Sequence, residues 1–202
     1  PTGIDLDVYP EGHKQAGLPK KTLQNIVKIL EKDPQLGGCI RFNEFKGRIE
    51  FREQRIADHH LTELRLLINR AYRIDIGKEL IGDAVEYTAH NNLFHPVREY
   101  LDGLEWDGEP RIHDFLFQYA GVVIPENPEL DSKKTMGLIR AMGRCFLVSA
   151  VSRIMEKGSK VDTTMILMGK QGVGKSSFFK ILAKNPDWFR DTALDVRGGR
   201  DT

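Results

Sequence analysis

Two cysteines in 202 residues, Cys39 and Cys145, stand far apart and in unlike surroundings, which excludes a disulfide framework and the paired spacing of a zinc module. Both are expected to be buried thiols. No apolar run approaches the eighteen or so residues of a membrane-spanning helix. The opening stretch PTGIDLDVYPEGHK lacks the basic-then-apolar order of an export signal, so a cytoplasmic location is expected. Internal repeats and low-complexity tracts are absent. The six histidines bring neither a cysteine partner nor an HExxH spacing, which leaves no metal-site pattern among them. Net charge is nearly absent too, at +1.

What is present suffices for a folded chain. With 40% hydrophobic and 29% charged residues there is material for one large or two small domains. The near-zero net charge hides a segregation. Between His95 and Asp131 nine acids face two arginines, a balance of −7, and between Lys133 and Lys160 seven bases face the single acid Glu156, a balance of +6. Such blocks suit pairing with each other, with neighbouring subunits or, for the basic one, with nucleic acid.

The spacing of Leu23, Ile26, Val27 and Leu30 predicts an amphipathic helix that DPQLGG ends. In CIRFNEFKGRIEF, Ile40 and Phe42 alternate with polar residues, Asn43 to Gly47 form a turn, and Ile49 and Phe51 alternate again, which predicts a β-hairpin. Through QRIADHH no pattern holds. Leu61, Leu64, Ile68 and Ala71 then mark one helix, and Leu80, Ile81, Ala84 and Val85 a second. This helix–turn–helix unit has two readings: a DNA-binding element using Arg65, Arg70 and Arg73, or a hairpin packed for stability. Pro96 suits the first turn of a further helix, where its missing N–H removes no bond. Ile112, Phe115, Leu116 and Tyr119 resume helical spacing. A long helix, roughly Lys133 to Met155, follows, with Ile139, Met142, Phe146, Ala150 and Ile154 as its core stripe and Arg140 and Arg144 one turn apart.

The stretch DTTMILMGKQGVGKSSFFKIL carries the chemistry. The apolar run Thr164–Met168 has strand length, and Phe178, Phe179 and Leu182 show helical spacing. Between them Gly169, Lys170, Gln171, Gly172, Val173, Gly174, Lys175 and Ser176 match GxxxxGK[ST], a phosphate-binding loop. The glycines admit backbone angles and a close approach that turn successive N–H groups, Val173 among them, toward phosphate oxygens. Lys175 is placed for the β- and γ-phosphates, and Ser176 offers a hydroxyl to Mg²⁺ at the positive end of the next helix. ATP and Mg²⁺ are therefore the expected cofactors. Hydrolysis also needs an acidic strand for the metal and usually an arginine. Of the residues after the loop, Asp187, Asp191, Asp195 and Asp201 follow no apolar run, and Arg190, Arg197 and Arg200 lie in a polar stretch that reads as a solvated loop.

The elements NNLFHPVREYLDGLEWDGEPRI, RAMGRCFLVSAVSRIMEKGSKVDT and MILMGKQGVGKSSFFKILA, in this order, resemble the virulence-associated protein E family of phages, prophages and phage satellites. The likeness extends from about Cys39 to Thr192. It implies a P-loop ATPase similar to superfamily 3 replicative helicases, acting as a hexamer-type ring on DNA beside a primase or another replication protein. Carried over by residue, it supports Gly169, Gly172, Gly174, Lys175 and Ser176, with Ser177 as a further phosphate contact.

The expected fold is α/β: a mainly helical part with the β-hairpin over 1–92, a helical segment over 93–161, and over 162–202 the start of a P-loop domain with a parallel sheet. Starting at Pro1 and stopping soon after its loop, the chain is expected to be the N-terminal portion of a longer protein. The leading function is the ATP-binding part of a replication helicase, with Arg140 and Arg144 as the DNA surface. The competing function is a non-catalytic module that recruits a replication partner or DNA through its helices. A small-molecule kinase fits poorly, because such enzymes build the substrate site after an early loop.

Overall fold

Thr22 starts the first helix, α1 (Leu23–Lys32), by accepting the Asn25 N–H on its hydroxyl at 3.4 Å. The core face of α1 is Asn25, Ile26, Ile29 and Leu30, so the expected stripe is rotated and Leu23 is exposed. Asn25 is fully buried with its bonds met: its amide accepts the Asp7 N–H at 2.9 Å and donates to the carbonyls of Asp7 at 2.8 Å and Lys20 at 2.9 Å. A polar residue thus clamps the N-terminal segment onto the core at no desolvation loss. The computed structural model describes residues 3–124, 126, 127, 129 and 131–192, an α/β arrangement of seven α-helices and one four-stranded sheet. Its contacts define two units, Pro1–Leu104 and Glu105–Thr202.

In the first unit the hairpin forms as its alternation predicts. β1 (Ile40–Asn43) and β2 (Arg48–Phe51) pair antiparallel with Ile40 opposite Phe51 and Phe42 opposite Ile49, which puts these four on the core face. Asn43 closes the turn by accepting the Lys46 N–H at 3.0 Å. Two short strands extend the sheet to the order β3-β2-β1-β4: β3 (Gln54–Arg55), antiparallel to β2, and β4 (Leu93–Phe94), parallel to β1. β3 lies in the stretch where no pattern holds. Its connecting turn, Arg52-Glu53, has φ of 49° and 67°, a two-residue hairpin conformation normally signalled by Asn-Gly. Neither residue announces it.

α2 (Asp58–Tyr72) buries His60, Leu64, Ile68 and Tyr72 and leaves the expected Ala71 outside. α3 (Lys78–Asn91) buries Ile81, Ala84, Val85, Thr88 and Ala89 and packs on α1, α2 and β1. The Tyr72 hydroxyl donates to Asp33 Oδ2 at 2.6 Å, joining the ends of α1 and α2 inside the core. Arg65 donates to the Ile76 carbonyl, which gives this arginine a structural task in the turn after α2. α4 (Pro96–Asp102) has Pro96 in its first turn as expected, capped by His95 Nδ1, which accepts the Arg98 N–H at 3.2 Å.

The second unit holds α5 (Phe115–Tyr119), α6 (Ser132–Met155), α7 (Lys175–Leu182) and a 3₁₀ turn at Pro186–Trp188. Asp131 caps α6 by accepting the N–H groups of Lys133 at 3.0 Å and Lys134 at 3.2 Å. Three expectations are corrected here. The α6 stripe is not a core: Met142 is 44% exposed, Ala150 is exposed, Ile139, Phe146 and Ile154 are half-buried, and the buried position is Gly143. Cys145 faces outward on that helix and Cys39 is half-buried, so neither is a buried thiol. The apolar run Thr164–Met168 is not a strand, and Ile166 is 75% and Met168 93% exposed. A strand exists only through a ladder, and the described residues offer this run no partner. Among the described residues no helix is long and apolar enough to cross a membrane.

Candidate functional site

The loop of residues 169–176 is carried by α7, and two rings hold that helix. Phe178 meets Phe115 of α5 with centroids 5.5 Å apart, and Phe179 meets the ring of Phe146 on α6 at 5.9 Å. Their helical spacing is visible in the sequence, whereas their partners are not. Close approach of α5 to α6 depends on Gly143, where an added Cβ would lie 2.9 Å from Leu116 Cγ.

Two of the loop glycines have left-handed backbone: Gly172 at φ 85° and Gly174 at φ 86°. A side chain at either would be strained although space is open around both. Gly169 differs, since an added Cβ would meet Val173 Cγ2 at an ordinary 3.5 Å. Gly174 is the N-cap of α7, with no side chain capping it. The first bond into the helix runs from the Phe178 N–H to the Gly174 carbonyl at 2.9 Å. The N–H groups of Gly174, Lys175, Ser176 and Ser177 therefore precede the helical ladder and open at its positive end.

Lys175 folds back across the loop, its Nζ donating to the carbonyls of Gly169 at 2.9 Å and Lys170 at 2.8 Å. An ammonium group and the free N–H groups of a helix start thus belong to one exposed loop, a donor set without an acidic member that suits an anion. Ser176 is exposed beside Lys175, its hydroxyl accessible to a cation carried by such an anion. The residues present fit a phosphate chain with its metal.

The other candidates are distributed. Arg140 donates through Nε to Asp114 Oδ1 at 2.8 Å, so the acidic and basic blocks do meet at this pair, while Arg144 is exposed one turn on. Arg190 and Asp191 are exposed, and Asp187 sits in the 3₁₀ turn with its N–H on Asn185 Oδ1 at 3.0 Å. Asp195, Asp201, Arg197 and Arg200 lie outside the described residues.

The WDGEPR stretch is an ordered turn. Asp107 Oδ1 accepts from Arg111 Nη1 at 2.7 Å and from the Glu109 N–H at 3.1 Å, Gly108 adopts φ 90°, and Trp106 Nε1 donates to the Glu109 carbonyl at 3.3 Å. The Arg111 guanidinium, with the Glu109 N–H behind it, holds the Asp107 carboxyl down at about 2.

Residues 101–202, half of the chain, match the family model of the virulence-associated protein E-like domain. No curated protein matches the chain.

Proposed function

This chain belongs to the virulence-associated protein E-like family, and on that premise we propose that it is the ATP-binding part of a phage- or mobile-element-type replication ATPase, similar to superfamily 3 helicases. The observation that carries this reading is the pairing of left-handed Gly172 and Gly174 with an uncapped α7 and Lys175 reaching over the loop. In this reading the N–H groups from Val173 to Ser177 take phosphate oxygens. Lys175 would give up its two carbonyl acceptors for the β- and γ-phosphates, and Ser176 would hold Mg²⁺, which would supply the positive charge needed for transfer of the terminal phosphoryl group to water. Gly169 begins the loop. DNA, a hexamer-type ring and a primase or other replication partner belong to the same proposal, with Arg140 and Arg144 on the DNA side; the Asp114 pair leaves Arg144 the more available of the two.

Equilibrium binding of a fluorescent ATP analogue tests it. Lys175→Ala removes charge-assisted bonds of roughly 1.5–3 kcal/mol, so affinity falls by about ten- to a hundredfold while the helical circular dichroism is unchanged. Equal affinity of the variant and the parent refutes the assignment.

A further inference from the structure

The sheet of the first unit has two unlike faces. Ile40, Phe42, Ile49 and Phe51 belong to the core, so alternation puts Arg41, Arg48 and Glu50 on the other side. Register places Arg55 opposite Glu50 and Glu50 opposite Arg41, a row across β3, β2 and β1. At its end the Arg41 guanidinium lies over the Phe94 ring of β4, 3.9 Å from the centroid. Glu50 is buried, and its Oε1 accepts from Arg48 Nη2 at 2.8 Å and Nε at 2.9 Å. The arginines themselves reach solvent: Arg41 is 41% and Arg48 34% exposed in the side chain, and Arg55 is exposed with no ion pair among the described residues. Glu99 of α4 holds Arg41 at 2.7 Å in an exposed pair, a kind that contributes little. Next to Phe94, His95 meets the exposed Phe45 of the β1–β2 turn edge-on at 5.6 Å.

We propose that this face is a platform for single-stranded nucleic acid, with backbone phosphates on Arg41, Arg48 and Arg55 and bases stacked at the Arg41–Phe94 pair and on Phe45. Arg55 and Arg41 at either side of the row, with Arg48 beside it on β2 engaged by Glu50, complement a chain of phosphates, while the Phe94 ring at the end of the row and Phe45 in the β1–β2 turn complement unpaired bases. A duplex hides its base faces and cannot use the rings. The platform is independent of the nucleotide loop and of Arg140 and Arg144.

Fluorescence anisotropy of the whole chain with labelled oligothymidylate and oligouridylate of about 16 nucleotides tests it, read over a range of salt. Binding is expected to weaken with salt, the tighter probe identifying DNA or RNA. The double substitution Arg41→Ala, Arg55→Glu is expected to weaken it at least about tenfold and to flatten the salt slope by roughly 0.7 for each lost contact. Lys175→Ala leaves this binding intact, which separates failure here from failure of the ATP reading. Should the double variant lose its circular dichroism, Arg55→Gln, at an arginine without an ion pair among the described residues, still flattens the slope. Parental affinity and slope in the folded variants, duplex bound as tightly as single strand, or no binding by the parent chain would each overturn the platform.

Discussion

The two units divide a similar apolar content very differently. In the first, Ile26, Ile29, Leu30, Ile40, Leu64, Ile68 and Ile81 are wholly buried in one cluster built around α3. In the second, Phe115 and Leu116 are the buried apolar side chains among the described residues, and Leu138, Val148, Ile166, Met168 and Ile181 stand more than half exposed. The difference is one of cover. α3 touches helices on one side and the sheet on the other, so every apolar stripe near it meets another. α6 is longer than α3 but meets α5, a helix of five residues, and α7 through Phe146, so its stripe is half covered at best. Periodicity therefore marks a face that seeks a partner and is silent about whether one is within reach.

Truncation breaks or confirms this contrast most sharply. Ile68→Ala empties a fully buried site and is expected to cost about 2–5 kcal/mol in chemical denaturation. Met142→Ala, on the half-covered stripe, is expected to cost less than about 1 kcal/mol. Equal losses would mean that the α6 stripe is as well covered as the first core. A middling effect is expected where the second unit is tight. Gly143→Val drives a side chain into Leu116 and is expected to cost about 1–3 kcal/mol. Tryptophan fluorescence reads it selectively, because Trp106 and Trp188 are the chain's two tryptophans and both lie in the second unit. A variant more stable than the parent would show that Leu116 yields and that the helix gains from losing a glycine.

Legibility follows the same division. Helices α1 to α4 and the hairpin are readable because their stripes or first turns are local statements: the spacing of Ile26 and Leu30, Pro96 and the alternation of Ile40 and Phe42 each act within a few residues. Asn25 escaped because a buried amide looks like surface until its three backbone partners are known. β3 and β4 escaped because two-residue strands exist only through their neighbours. In the loop, Gly172 and Gly174 announce their backbone, and Lys175 its charge, from residue type alone. The Phe178 and Phe179 anchors, the Asp114 partner of Arg140, and the Arg41–Phe94 stack depend on distant segments. The strand reading of Thr164–Met168 fails for the complementary reason, since composition supplies a strand's residues but no ladder.

The smallest expected effect concerns charge. Tyr72 and Asp33 bond inside the first core, whereas Asp107 and Arg111 pair in full solvent at the start of the second unit. Folded Asp107 titrates at about 2 against 3.8 for the free side chain, so the pair favours the folded state above about pH 4, and its contribution fades as pH falls toward 2. Water and salt screen an exposed pair, so little stability is at stake. The titration itself is the sensitive readout. In Arg111→Gln the carboxyl carbon of Asp107, followed by NMR, is expected to move its midpoint upward toward 3.8, and high salt is expected to shift the parent the same way. A midpoint unmoved by both would assign the depression to the Glu109 N–H, making WDG a turn held by backbone geometry, with the guanidinium a bystander.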